Sequence, residues 1–257
     1  MKTLHYKRHG QGEPVIVLHG LFGMLDNWQS FTKALEDKFD FILVDQRNHG
    51  RSFHAPEMDY SSMAEDVVQL MDALGIEKAH VLGHSMGGKT AMQLAMEHSH
   101  RVSRLVVVDI GPQAYPAGHD KIFEALRSLP IEEVESRKEA REHLSHYISE
   151  DSIQLFLLKN LKRNSSGGYE WRMNLESIYE NYESILSAIA IADPVEVPTL
   201  FVRGSRSPYL RDRDMETLRH NFLQVQFKTL EAGHWVHAER PEELQAVVTE
   251  FYEEDIK

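Results

Sequence analysis

The stretch Gly83-His84-Ser85-Met86-Gly87-Gly88 follows a short apolar run at 79–82 and precedes a segment of helical pattern that begins near Met86. A serine on a sharp turn between a strand and a helix is forced outward, and glycines on both sides avoid collisions with the neighbouring strand and helix. This setting makes Ser85 a candidate nucleophile. The same small residues would also suit a turn that only packs a helix against a strand.

Strand and helix patterns alternate outward from this motif. Continuous apolar runs predict strands at 15–18, 41–44, 79–82, 105–108 and 199–202. Amphipathic segments lie between them, and one of these opens at Ser62 with a capping-box pattern and stops at Gly75. Apolar strands that alternate with helices indicate a parallel sheet covered on both faces, which is an α/β fold.

The segment 112–194 breaks this alternation. It shows helical patterns only, and the strand rhythm resumes at 199–202. An all-helical insertion between two core strands predicts a cap over an active site. We therefore expect a core formed by residues 1–111 and 195–257, with residues 112–194 as the inserted helical cap.

Composition limits the classes of function. The 257 residues carry a net charge of −12, which argues against binding to nucleic acid or to anionic membranes. The chain has no cysteine, so disulfides, thiolate metal sites and cysteine nucleophiles are excluded. Its 15 histidines lack the spacing of metal ligands. With no signal-peptide pattern and no membrane span, the sequence predicts a soluble cytoplasmic protein without a metal or an organic cofactor.

A second loop is predicted at the same edge of the sheet as Ser85. His19-Gly20-Leu21-Phe22-Gly23 follows the strand at 15–18, and ligands bind at the edge where the carboxyl ends of parallel strands meet. The backbone N–H groups of Leu21 and Met86 are therefore the candidate donors of an oxyanion hole. A plain turn that needs glycine is the alternative interpretation of this loop.

The serine hydroxyl needs a base, and near-neutral pH selects histidine. His234 follows a strand-like segment at 226–230 through Glu231-Ala232-Gly233 and precedes a predicted helix at 241–252. This order places it on a loop at the active edge. His237 is the nearest rival, but it lies closer to the next helix and is interpreted as structural.

Together these motifs resemble the α/β-hydrolase superfamily. More narrowly, the segments 19–23, Asp45-Gln46-Arg47-Asn48-His49-Gly50 and Val106-Val107-Val108-Asp109-Ile110-Gly111-Pro112 resemble the YbfF-type carboxylesterases and their abhydrolase-domain relatives. The resemblance spans nearly the whole chain. It implies an α/β-hydrolase fold, with a mostly parallel sheet flanked by helices, and a structural task for the segment 45–52.

The sequence departs from the commonest superfamily pattern at the acidic residue that would orient the histidine. The usual position follows the strand after the cap, and here the stretch 203–209 holds no carboxylate. Asp109 ends the strand that follows the nucleophile's helix, so it emerges at the correct edge. The resemblance to YbfF-type proteins also implies an acid there. Asp212 and Asp214 are the alternatives, at the start of a predicted helix.

The expected function is that of a serine hydrolase that cleaves carboxylic esters or acyl thioesters through an acyl-enzyme. In this hypothesis Ser85 attacks the carbonyl, His234 takes the proton and Asp109 fixes the histidine. A carbon-carbon bond hydrolase or a lactonase would use the same machinery. A non-catalytic binding protein that keeps the fold is the alternative from another class.

The expected partner is a small-molecule ester or acyl thioester, and five residues are proposed to bind it. The candidates are Phe22, Lys159, Lys162, Arg163 and Arg206. The basic cluster at 159–163 lies beside apolar cap residues, which suggests a landing site for a phosphate-bearing leaving group such as coenzyme A. An amphipathic helix with a solvated basic face explains the same cluster.

Overall fold

The computed structural model describes residues 3–165 and 167–254, and a seven-stranded sheet organises them. The strands are β1 Tyr6–Gly10, β2 Glu13–Leu18, β3 Phe39–Val44, β4 Ala79–His84, β5 Val102–Val108, β6 Leu161–Arg163, β7 Tyr169–Trp171, β8 Thr199–Gly204 and β9 Val225–Leu230. Seven of these strands form the main sheet, in the order β1-β3-β2-β4-β5-β8-β9, and β6 and β7 form a separate two-stranded sheet. Strand β1 pairs antiparallel with β3, and the other neighbours are parallel, which confirms the predicted fold class.

Helices cover both faces of this sheet and form most of the segment between β5 and β8. They are α1 Gln29–Lys33, α2 Tyr60–Leu74, α3 Met86–Glu97, α4 Asp120–Ser128, α5 Arg137–Ser145, α6 Asp151–Leu158, α7 Leu175–Glu180, α8 Tyr182–Leu186, α9 Met215–Asn221, α10 Val236–Glu239 and α11 Pro241–Glu253. Short 3-10 helices lie at Leu25–Asn27, Ser99–Arg101 and Asp212–Asp214. Within the described ranges, no helix is long and apolar enough to cross a membrane.

Two hydrophobic cores flank the sheet because successive side chains of a strand point to opposite faces. On β2, Ile16 and Leu18 join the core that contains the apolar faces of α2 and α3. Val15 and Val17 join the other core, together with Trp28. All six residues of β3 are buried, as expected for a strand covered on both sides.

Helix α2 starts earlier than its capping-box pattern predicts. The helix begins at Tyr60 because Asp59 is the N-cap, and the Asp59 carboxylate accepts a hydrogen bond of 2.8 Å from Ser62 N. Ser62 therefore lies within the first turn rather than before it. The predicted end at Gly75 is confirmed.

The segment between β5 and β8 is not all-helical, and the prediction is wrong on this point. Strands β6 and β7 pair antiparallel, with Leu161 opposite Trp171 and Arg163 opposite Tyr169. Each strand has three residues, which is too short to show a period of two, although Tyr169 and Trp171 are residue types that favour strands. The division of the chain at 111 and 195 remains a prediction.

Polar contacts fix this inserted segment, which we call the cap, over the carboxyl edge of the sheet. Asn160 Nδ2 donates to Phe22 O at 2.7 Å, and Tyr60 OH donates to Ile185 O at 2.6 Å. Asn174 N donates to Asn48 O at 2.8 Å. The cap is therefore tied to the loops after β2 and β3 and to the start of α2.

The loop after β3 has the structural task that the resemblance implies. The Asp45 carboxylate accepts hydrogen bonds from Leu25 N at 2.8 Å and from Arg51 N at 2.9 Å. Arg47 forms a two-point contact with Asp66, with N–O distances of 2.6 and 3.0 Å. Asp45 therefore holds this loop beside the loop that carries Leu21, and Arg47 ties it to α2.

The turn between β4 and α3 leaves no room for a side chain at Gly83. A Cβ atom on Gly83 would lie 2.2 Å from Gly87 O, and one on Gly87 would lie 2.4 Å from Leu18 O. Both neighbours are backbone atoms, so relief requires movement of the helix or of a strand. The close approach of α3 to the sheet therefore depends on these two glycines.

We expect Gly83→Ala to lower the free energy of unfolding by about 3 kcal/mol, the upper end for overpacking, because the clash is with backbone. Urea denaturation of wild type and variant measures this difference. The control is Gly118→Ala, where an added Cβ meets nothing within 4 Å, and its effect should stay within about 0.5 kcal/mol. Equal stabilities of Gly83→Ala and Gly118→Ala would contradict the packing argument.

Candidate active site

Ser85 stands at the turn between β4 and α3, and its backbone is strained. Its φ of +53° and ψ of −122° lie in a region that non-glycine residues rarely adopt. The turn is held from two sides, because Ser85 N donates to Val108 O at 3.1 Å and Gly88 N donates to Ser85 O at 2.8 Å. Ser85 lines a cavity at the carboxyl edge of the sheet.

Asp109 directly follows β5 and is completely buried. Its Oδ1 accepts a hydrogen bond of 2.9 Å from Gly204 N. Its Oδ2 accepts from Ser207 Oγ and from His234 Nδ1, the latter at 2.7 Å. These hydrogen bonds offset the cost of burying the carboxylate.

His234 lies on the loop after β9, as the sequence predicts; two contacts orient its ring and a third holds its backbone carbonyl. Besides the bond from Nδ1 to Asp109, the ring stacks on Tyr209 at a centroid distance of 4.1 Å. The carbonyl of His234 accepts from His84 Nε2 at 2.9 Å. Since Nδ1 donates to Asp109, Nε2 is left to accept a proton.

His234 and Ser85 line the same cavity. Among the described residues, no hydrogen bond joins Ser85 Oγ to His234. Such contacts are often long in sites without a substrate and tighten in the Michaelis complex. The arrangement places a hydroxyl, an imidazole and a carboxylate in the order that general-base activation of a serine needs.

The two alternative acids lie away from His234. Asp212 pairs with Arg203 at 2.6 Å, and its side chain is 91% exposed. Asp214 accepts a hydrogen bond of 2.8 Å from Arg211 N, which caps the 3-10 helix in which it lies. Of the three candidates, Asp109 is the one that the structure brings to the histidine.

Leu21 and Met86, the two predicted oxyanion donors, both line the cavity. Gly20 lies so close to the nucleophile that a Cβ there would be 3.2 Å from Ser85 Cβ. Met86 is the first residue of α3, so its N–H has no partner within the helix. The next residue of the loop, Phe22, has a φ of +59°.

The Phe22 peptide groups are held from both sides. Phe22 N donates to His49 Nε2 at 3.2 Å, and Phe22 O accepts from Asn160 Nδ2 at 2.7 Å. One of these partners belongs to the core and the other to the cap. The loop that carries Leu21 is therefore fixed jointly by both parts of the chain.

The cavity measures about 300 Å³ and is mostly apolar. Its apolar wall comes from the core and from the cap and includes Phe22, Ile110, Ile122, Ile153, Phe156, Leu157, Ile185 and Leu186. His119, Tyr209 and Lys89 add polar groups to the wall. Phe22, one of the residues expected to bind substrate, lies at this cavity.

The structure does not bring the four predicted cationic residues to the cavity wall. Lys162 pairs with Glu170 at 2.9 Å within the β6–β7 hairpin. The guanidinium of Arg163 lies 4.8 Å from the ring centroid of Tyr169. Lys159 is exposed at the end of α6, and Arg206 pairs with Glu239 at 2.7 Å.

Sequence reasoning missed several residues of this site. Ser207 contacts Asp109, Tyr209 stacks on His234, and Asn160 holds the loop after β2. Ser207 and Tyr209 lie in the stretch after β8 where the superfamily usually has its acid. That position in the chain was the sequence signal that could have identified them as site residues. In residues 3–165 and 167–254, no group of three or more histidine or acidic side chains is arranged to hold a metal ion.

The arrangement of the parallel sheet, the turn serine and the late histidine loop is that of the α/β-hydrolase fold. A family model described as the alpha/beta hydrolase fold matches residues 13–241. The chain therefore belongs to the α/β-hydrolase family, which confirms the resemblance seen in its motifs.

The chain is similar over most of its length to particular members of this family. The chain is 38% identical over 246 residues to the sn-1-specific diacylglycerol lipase ABHD11 of Mus musculus, which covers 92% of this chain and 80% of that protein. It is 37% identical over 231 residues to Esterase YbfF of Escherichia coli strain K12, which covers 89% of each. A solved structure described as a marine microorganism esterase has 42% identity and a TM-score of 0.95, and covers 98% of this chain and 100% of that one.

Buried neutral histidines surround the site. His19 Nδ1 faces Gly20 O at 2.8 Å while its Nε2 accepts from Gln46 N at 3.0 Å, which requires a neutral ring with the proton on Nδ1. Burial lowers the pKa of His19 to about 4 and those of His49 and His237 to about 3. Burial also lowers the pKa of His84 well below its ordinary value.

We expect these histidines to make the fold less stable in acid. In the unfolded chain a histidine takes up a proton near its ordinary pKa of 6.5, whereas His49 stays neutral in the folded state until about pH 3. Stability is therefore fully present above the unfolded pKa and falls as the pH drops below it. From about pH 7.5 to about pH 5.5, each such histidine should lower the free energy of unfolding by about 1 kcal/mol.

Urea denaturation at the two pH values measures the slope. His49→Gln should reduce the pH dependence by about 1 kcal/mol, whatever its effect at neutral pH. The exposed His100 is the matched control, and His100→Gln should keep the wild-type slope. A wild-type stability that is the same at both pH values would rule out the neutral buried rings.

Proposed function

We propose that the protein is a serine hydrolase that cleaves carboxylic esters through an acyl-enzyme, with Ser85, His234 and Asp109 as a catalytic triad. The observation that carries the proposal is the 2.7 Å contact of Asp109 Oδ2 with His234 Nδ1 beside a cavity that Ser85 also lines. The lipase and esterase names of relatives at 38% and 37% identity support an ester substrate.

The proposed first half-reaction transfers the acyl group to the enzyme. His234 Nε2 takes the hydroxyl proton as Ser85 Oγ attacks the carbonyl carbon, and the carbonyl oxygen becomes an oxyanion. The N–H groups of Leu21 and Met86 stabilise this charge, each by about 3 kcal/mol. The histidinium then protonates the departing alcohol, and the bond between the acyl carbon and that alcohol breaks.

The second half-reaction returns the enzyme to its starting state. Water loses a proton to His234 and attacks the acyl-enzyme, and Ser85 leaves with the proton that the histidine returns. Asp109 keeps the proton of the neutral ring on Nδ1 and stabilises the charged ring in both steps. A thioester would react by the same steps with a thiol as leaving group, so assays should include p-nitrophenyl esters and acyl-CoA thioesters.

The mostly apolar wall of the cavity suits the acyl part of the substrate. Side chains from α4, α6 and α8 of the cap meet Phe22 and Ile110 of the core there. An acyl chain that enters this space removes apolar surface from water, which favours binding. The cap therefore contributes to substrate selection, while the core contributes the reacting groups.

We expect Ser85→Ala to lower kcat for a p-nitrophenyl ester by about 10⁶-fold, because the nucleophile is lost. A fluorophosphonate probe should label the wild type and leave this variant unlabelled. Ser205→Ala, which changes an exposed serine of a nearby loop, is the control and should react like the wild type. Retention of more than a few per cent of kcat in folded Ser85→Ala, with contamination excluded, would falsify the proposal.

We expect Asp109→Asn to lower kcat by up to about 10⁴-fold, because an amide at this position favours the wrong tautomer of His234. Asp212→Asn and Asp214→Asn should each cost less than about tenfold, since neither carboxylate contacts the histidine. Circular dichroism and the melting temperature check that Asp109→Asn is folded. If folded Asp109→Asn keeps kcat while one of the other two variants loses it, the assignment of the acid is wrong.

A further inference from the structure

Lys89 is a buried cation at the wall of the cavity. It lies on α3, four residues after Ser85, and is 1% exposed. Lys89 lies in the first turn of α3, which starts directly after Ser85, and both residues line the cavity. The reaction steps proposed above give this ammonium group no task.

The ammonium group has hydrogen-bond partners but no opposite charge. Lys89 Nζ donates to Gln113 O at 2.9 Å and to Ser187 O at 2.5 Å. It lies 5.0 Å from the ring centroid of Tyr115 and 5.6 Å from that of Tyr60. Among the described residues, no carboxylate forms an ion pair with it.

A buried lysine without an ion pair is expensive. Lysine is almost never fully buried unless it is paired, and an unbranched apolar side chain would fill the same space without the cost of removing a charge from water. Burial lowers the pKa of Lys89 to about 8, so the group is still mainly charged near neutral pH. Two of its three N–H donors are used by carbonyl groups, and among the described residues no oxygen accepts from the third.

We propose that Lys89 binds a carboxylate at the far end of the acyl chain, so that the preferred substrates are monoesters of dicarboxylic acids. This inference rests on the proposed ester hydrolysis. The acyl chain would run along the apolar wall from Ser85 to Lys89, and its carboxylate would supply the charge that the protein lacks there. In a cavity of low dielectric, such a contact is stronger than on the surface.

Matched pairs of substrates test the proposal. For wild type we expect a higher kcat/KM for monoethyl adipate than for ethyl hexanoate, which has the same carbon chain in its acyl group without the charge. Lys89→Met removes the proposed hydrogen-bonded ion pair with the substrate carboxylate. The ratio of kcat/KM for monoethyl adipate to kcat/KM for ethyl hexanoate should therefore fall by about 30-fold in this variant. Lys121→Met, which changes an exposed lysine of α4, is the control and should leave the ratio unchanged.

A purely structural lysine gives a different result, because its loss would lower kcat/KM for both substrates equally and leave the ratio unmoved. That outcome overturns the proposal. Monoethyl succinate and monoethyl glutarate extend the test, since a carboxylate bound at a fixed distance from Ser85 selects one chain length. If Lys89→Met does not fold, the wild-type ratio decides, and a ratio below one rejects the inference.

Binding measurements separate this inference from the proposed function. Calorimetry with adipamate, the monoamide of adipic acid, and with hexanamide compares binding without ester turnover, and adipamate should bind wild type more tightly. If the wild type cleaves no ester yet binds adipamate preferentially, the proposed function fails and the carboxylate site stands. If esters are cleaved but adipamate and hexanamide bind equally, the carboxylate site is rejected and the hydrolase stands.

Discussion

The buried carboxylate of Asp109 is the group on which the arrangement of the site depends. A charge removed from water must be met by hydrogen bonds, and its donors come from three places in the chain: the end of β8, the loop after it and the loop after β9. The carboxylate therefore brings Gly204, Ser207 and His234 to one point. The same contacts that satisfy Asp109 also set the direction of the imidazole.

Strained backbone is concentrated where the strands end. Phe22, Ser85 and Asp109 have φ values of +59°, +53° and +54°, and each follows a parallel strand at the carboxyl edge. Such conformations cost about 1–3 kcal/mol each and persist when the surroundings fix them. Here the sheet fixes Ser85 and Asp109 through Val108 O and Val202 O, while His49 and Asn160 hold Phe22.

The parts of the site that the sequence reveals are those determined by local order along the chain. Ser85 is marked by its turn and His234 by its position after a late strand, and the end of a buried strand places Asp109 at the same edge. The contacts that could not be predicted join residues far apart in sequence: 98 positions separate Ser207 from Asp109, and 138 separate Asn160 from Phe22. No periodic pattern encodes such pairs, and the three-residue strands of the cap are too short to form one.

The cationic residues also differ in what the sequence reveals about them and what the structure reveals. The basic residues at 159–163 attract notice because they are clustered in sequence, but a cluster in water is screened and contributes little to binding. Lys89 stands alone in an apolar helix segment, and its surroundings become visible when α3, Gln113 and Ser187 are brought together. Because the interaction of two charges grows as the local dielectric falls, one unpaired ammonium group in an apolar cavity discriminates between substrates more strongly than several exposed cations.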